Sequence, residues 1–208
     1  MLSEAEGTGR QVRAVFTDGT ITVYQAYASR IAEPALRAGT FVDPFRRERM
    51  TWIKPSFLWM MYRCGWATKA DQERVLAIDI TREGFTWALE HACPSHYDRS
   101  RFGSEAEWRR ALKSSPVRVQ WDPERDLRLN PLPHRAIQIG LSGTAVDRYV
   151  DDWITDIRDV TPLAHEIHSL VRTGDLTAAQ GLLPQERVYP LPADLVAGPT
   201  PTTTTTGA

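Results

Sequence analysis

Cysteine and lysine are both scarce in this chain. Only Cys64 and Cys93 occur among 208 residues, in no metal-type spacing, so free thiols and a reducing, cytoplasmic compartment are expected. Three lysines stand against 22 arginines. Glycine-rich phosphate loops are missing too: Leu141-Ser142-Gly143 lacks the lysine and further glycines of a P-loop. No apolar run approaches the ~20 residues of a membrane-spanning helix. No basic stretch followed by an apolar one opens the chain, so no leader and no membrane partner are expected. A net charge of −1 removes any global pull toward nucleic acid or anionic lipid.

The charge is unevenly spread. Between Pro44 and Ala70, Arg46, Arg47, Arg49, Lys54, Arg63 and Lys69 face Glu48 alone, a local net of +5. Between Gly143 and Glu186, eight acids outnumber Arg148, Arg158 and Arg172, a local net of −5. Either the two segments face each other, or the basic one faces an anionic ligand. The basic segment also carries Trp52, Trp59 and Trp66 at a seven-residue spacing. Lys54-Pro55 interrupts that spacing, so the three rings do not form one helical stripe. They can build a core or a pocket floor.

Patterning predicts an α+β fold with mostly antiparallel strands and interspersed helices. Residues 1–10 read as a flexible N-terminus, 11–196 as one globular domain, and 197–208 as a disordered Pro/Thr-rich tail. Asp18-Gly19 marks a hairpin between strands at 11–16 and 21–27. Ser29 caps a helix closed by Gly39, and Pro55 opens the first turn of another that ends at Gly65. Strands are expected at 75–80, 117–121 and 136–141, with 122–135 an ordered loop. Helices follow Thr81, Ser104, Gly143 and Thr161, and 154–160 reads as either helix end or strand.

Few side chains spell out chemistry. His165 and His168 share a helix face but lack further ligands, and His91, Cys93 and His96 lack a second pair, so no metal is expected. Cys64 follows Arg63, yet a cysteine beside Trp and Met reads as a small buried hydrophobe. Two amides stand out on strands. Gln25 shares a face with Tyr27, and Gln138 sits between the small residues Ala136 and Gly140, which suits close ligand approach.

Five blocks of this chain, 23–27, 49–62 (RMTWIKPSFLWMMY), 73–80, 117–125 and 130–141, resemble a bacterial and fungal family catalogued as domain of unknown function 4291. The likeness runs from about Arg13 to Leu170. A looser likeness, carried by Tyr24-Gln25-Ala26-Tyr27, the following helix and Gly39-Thr40-Phe41, is to the ADP-ribosyltransferase fold. That fold usually offers His or Arg where Gln25 stands and Glu where Gln138 stands. The likeness implies Gln25 and Gln138 as the catalytic pair and NAD as substrate. Arg49, Lys54 and Arg63 would hold its pyrophosphate, Trp59 or Tyr27 would stack on a ring, and Tyr24, Thr51 and Ser56 would complete the cleft. RNA or DNA is the acceptor that the neighbouring Arg46, Arg47 and Arg49 suggest. A non-catalytic nucleic-acid-binding module and a purely structural domain are the competing readings.

Overall fold

The Asp18-Gly19 turn reverses the chain as its sequence dictates. Thr22 donates its amide to the Val15 carbonyl at 2.9 Å, and Phe16 bridges to Ile21. Strand β1 (Arg13–Ala14) precedes the turn and β2 (Thr20–Tyr27) follows it. The computed structural model describes residues 9–191, so residues 1–8 and the tail from 192 onward, including the expected Pro/Thr-rich segment, lie outside the described residues. Arg10, at the expected N-terminal boundary, forms a β-bridge with Arg135.

Helix α1 (Ser29–Ala38) is not capped by Ser29, which is its first helical residue; Ala28 takes the cap position without a side-chain bond. Gly39 closes it at φ 71°, a left-handed conformation that costs glycine little. After β3 (Thr51–Ile53), Pro55 lies outside helix α2 (Phe57–Cys64), and Ser56 is the N-cap, accepting from the Trp59 amide at 3.1 Å. Next come β4 (Arg74–Thr81), α3 (Arg82–Glu90) capped by Thr81, β5 (Ala92–Pro94) and α4 (Glu105–Ser114) capped by Ser104.

The expected loop at 122–135 is mostly strand. β6 (Val117–Arg125) and β7 (Pro131–Leu141) pair antiparallel, with a register shift between Pro123 and Arg125. An irregularity of this kind tolerates a proline that a regular ladder would not, which is why composition misled. Helix α5 (Thr144–Arg148) runs into a π-helical turn at Tyr149–Trp153. The ambiguous segment after it is strand β8 (Ile154–Asp159). Helices α6 (Thr161–Thr173) and α7 (Leu176–Leu182) follow, then β9 (Arg187–Val188), which pairs with β1. Helix α7 has no counterpart in the sequence reading; Asp175 caps it.

Two sheets result. β2-β4-β8 is antiparallel throughout; β3-β7-β6-β5 is antiparallel except for its last pair. They are stitched at one point, where Tyr24 of β2 bridges Lys54 just beyond β3. Alternation along β2 then sorts its side chains. Ile21 and Val23 enter a core shared with Ile53, Ile137, Ile139 and Leu141 of the second sheet. Tyr24 enters a second core against Phe57, Met60 and Met61 of α2, joined by Ala164 and Ile167 of α6. Each large apolar side chain buried this way contributes about 1.5–3 kcal/mol, so both faces of β2 are firmly held. The molecule is a single α+β domain in which helices cover both faces of the β2–β4 pair. No helix among the described residues is long and apolar enough to cross a membrane.

Candidate functional site

The site forms at the stitch between the sheets. One residue beyond the Ile53–Ile139 pair, the register of β3 on β7 brings Lys54 level with Gln138. A cavity of about 290 Å³ opens there. Its lining includes Gln25, Tyr27, Thr51, Lys54, Arg63 and Gln138, so six of the ten residues expected from sequence meet in one place. A second cavity of about 550 Å³ adjoins it, sharing Tyr27, Met50, Thr51 and Gln72, and its outer wall holds Arg46 and Arg49. The two make one continuous cleft.

Lys54 is 5% exposed. Its ammonium donates to the Trp52 carbonyl at 3.2 Å and lies 5.6 Å from the Trp59 ring centroid. It has no ion-pair partner among the described residues. Burial, aided by the positive charge of Arg63, pulls its pKa down to about 7, and the Asp122 carboxylate opposes that fall. A buried amine so poised gains most from an incoming anion. Arg63 is exposed at the rim, donating to Gln72 at 3.3 Å.

Gln138 donates its amide to Asp122 at 2.8 Å, and Gln120 donates to the other oxygen of the same carboxylate at 3.0 Å. The Gln138 carbonyl accepts no hydrogen bond among the described residues and is available to a ligand. Asp122 was missed in sequence because 122–135 read as loop; Gln72 and Gln120 carry no local signal that singles them out. With β6 extended through it, Asp122 sits two residues after Gln120 on the same face. Trp52 lines the same cavity, its ring lying over Gly140, where a Cβ would stand 2.9 Å from the indole.

Gln25 differs from the expected catalytic group. It is 3% exposed and committed at both ends. Its carbonyl accepts from the Tyr149 hydroxyl at 2.8 Å, and its amide reaches Thr51 at 2.6 Å and Tyr27 at 2.9 Å. Tyr27 and Thr51 are themselves 2.7 Å apart. Burial raises the Tyr27 phenol to about 12, against the hydrogen bonds from Thr51 and Gln25. The Tyr27 ring packs edge-on to Phe41 and Phe45, and Tyr27 lines both cavities.

Three expected ligand-binding residues lie outside the cleft. Tyr24 is 2% exposed, with its ring edge-on to Phe57; β alternation turns it away from Gln25, and burial pushes its phenol far up. Ser56 caps α2 and donates to the buried Glu124 at 2.8 Å. Trp59 is 6% exposed and supports Lys54 from below. Arg47 is also withdrawn from ligand duty. It holds Asp151 with two bonds of 2.6 Å and reaches Asp147 at 3.5 Å, so part of the basic segment does face the acidic one.

The histidines have other partners. His168 stacks on Trp66 at 5.3 Å, and His91 stacks on Trp87 at 3.9 Å. Among the described residues no group of three or more His, Cys, Asp or Glu side chains is placed to hold a metal.

A single α+β domain with a basic cleft at the seam of two sheets is the class that these observations define. The chain belongs to the family described as "Domain of unknown function (DUF4291)", which matches residues 11–189. Comparison with curated proteins gives no match.

Proposed function

We propose that the cleft binds NAD or a related nucleotide and that the protein transfers its ADP-ribosyl group. One observation carries the reading: Lys54 and Arg63 line a single cavity with Gln138, which lies far along the chain. Lys54 and Arg63 in the inner cavity and Arg46 and Arg49 in the outer one supply cations for a pyrophosphate. The free Gln138 carbonyl is an acceptor for a ribose hydroxyl, and its dipole would favour positive charge developing at the ribosyl carbon. Asp122 acts on this carbonyl as a positioning residue, by fixing the amide. In the transfer, the bond from ribose C1′ to the nicotinamide nitrogen breaks and its electron pair leaves with nicotinamide. A bond from C1′ to the acceptor forms, and the acceptor's proton passes to solvent. Gln25 holds Thr51 and Tyr27 in place and takes no part in the reaction.

The exposed Arg46 and Arg49 favour one other reading, a non-catalytic nucleic-acid-binding module. Calorimetric titration with NAD separates the two. Saturable binding that weakens at least tenfold in both Lys54→Ala and Arg63→Ala, with label passing from NAD to an acceptor, supports the transferase. Salt-sensitive oligonucleotide binding lost in Arg49→Glu, without any NAD signal, replaces it by the second reading.

A further inference from the structure

A further cavity lies outside the cleft. It measures about 600 Å³ and sits at the edge of the second sheet, where the chain leaves β5 and crosses the middle of β6. Arg10, Arg99, Arg101 and Arg135 line it against one carboxylate, Asp98. Asp98 accepts from the Ser100 hydroxyl at 2.6 Å and amide at 2.9 Å, and its one ion pair among the described residues is with Arg101, at 3.9 Å. Arg10, Arg99 and Arg135 have no ion pair among the described residues. The same wall presents two flat rings, Tyr97 and Trp121, and Arg10 stands 5.9 Å from the Trp121 centroid. The Ser95 hydroxyl is buried at this wall without a hydrogen-bond partner among the described residues. An orphaned hydroxyl beside uncompensated guanidinium groups is a donor set waiting for an anion.

We propose that this cavity binds the phosphate-bearing end of a single-stranded nucleic acid. The arginines and Ser95 take the terminal phosphate, and the terminal base lies against Trp121 or Tyr97, as flat rings beside a cationic groove favour. A phosphopeptide fits less well. Peptides commonly add to a free strand edge, and here the β5 edge is closed: Trp108 of α4 donates to the Pro94 carbonyl at 2.8 Å and Ser115 to the His91 carbonyl at 2.6 Å. The site and the cleft share one neighbour. Gln120 lines this cavity and Gln138 lines the other, and both hold Asp122. The binding claim stands independently of the NAD reading; an acceptor role for the bound end rests on it.

The test uses the full chain and single-stranded 8-mers labelled at one end, with a phosphate or a hydroxyl at the other, in DNA and RNA. Binding is read by fluorescence anisotropy. A terminal phosphate, at either the 5′ or the 3′ end, is expected to tighten binding about tenfold or more. Arg99→Glu and Arg135→Glu are expected to remove that preference. Arg172→Glu, on α6 and lining neither cavity, is expected to keep it. Arg99 is exposed and unpaired, so its variant should melt with the parent. Equal affinity for phosphate and hydroxyl ends overturns the proposal. So does equal weakening by Arg99→Glu and Arg172→Glu, or a phosphoserine peptide binding as tightly as the oligonucleotide. NAD titration of the same sample keeps the two claims apart: a phosphate preference without NAD binding removes only the cleft reading, and NAD binding without a phosphate preference removes only this one.

Discussion

Lys54 and Tyr24 exchange backbone hydrogen bonds in both directions, at 2.7 Å and 3.3 Å, while their side chains serve different environments. The tyrosine ring goes into the second core and the lysine amine into the cleft. This pair is the backbone bridge between the two larger sheets. It also holds an amine, by its own backbone, where water can barely reach it.

That placement makes ligand binding pH-dependent. The free amine sits near pKa 7, and an anion in the cleft raises it. NAD affinity is therefore expected to fall as pH rises from 6 to 9, by at most about tenfold per unit, with a proton taken up on binding near pH 7.5. Calorimetry in buffers of different ionisation enthalpy measures that proton, and Lys54→Met should abolish it. The same lysine costs stability. Its folded pKa lies below the unfolded value, so the unfolded chain binds the extra proton between pH 7 and about 10.5 and stability rises with pH across that window. Lys54→Met is expected to stabilise the protein at pH 6 by a few kcal/mol and to flatten the rise, as urea unfolding would show.

Glu186 works in a lower window. Its carboxylate accepts from the Phe57 amide at the start of α2 at 2.7 Å, and burial, with Glu124 nearby, raises its pKa to about 8. A folded pKa above the unfolded one gives stability that is full below pH ~4.5 and is lost as pH rises through about 8. Glu186→Gln keeps an oxygen for Phe57 without the charge. It is expected to match the parent near pH 4.5 and to exceed it by a few kcal/mol at pH 8.5, measured by urea midpoints at both values.

Gly140 tests the shape of the cleft. A methyl group there would stand 2.9 Å from the Trp52 ring and 3.0 Å from the Met50 sulfur. Gly140→Ala is expected to cost about 1–3 kcal/mol and to displace Trp52. Thermal melting reads the first effect, and a shift in tryptophan emission with weakened NAD binding reads the second.

Gln25 and Tyr149 form a buried pair whose members cannot be removed singly without leaving a polar atom alone. Tyr149→Phe and Gln25→Leu are each expected to destabilise by about 1–3 kcal/mol. The double variant should cost less than the sum, a coupling that a double-mutant cycle measures. A catalytic Gln25 would instead lose turnover at unchanged stability.

Much of the local structure was legible in the order of residues. Asp18-Gly19 makes its turn, Thr81 and Ser104 cap their helices, and Gly65 ends α2, because each rests on backbone preferences within a few neighbours. Where two local signals competed, reading failed. Proline and charge at 122–135 outweighed strand periodicity, and with that strand went Asp122.

The tryptophan run shows the same division. Sequence alone determined that Trp52, Trp59 and Trp66 could not form one stripe, because Lys54-Pro55 breaks it. Only the tertiary structure decided their places: Trp66 in the core, Trp59 beneath a lysine and Trp52 at the cleft. It likewise decided that Arg47 meets Asp151 while Arg46 and Arg49 face the outer cavity. Those outcomes depend on which strands pair and in what register. Pairing is settled by burial and hydrogen bonding between residues far apart in the chain, and no short stretch of sequence contains both partners.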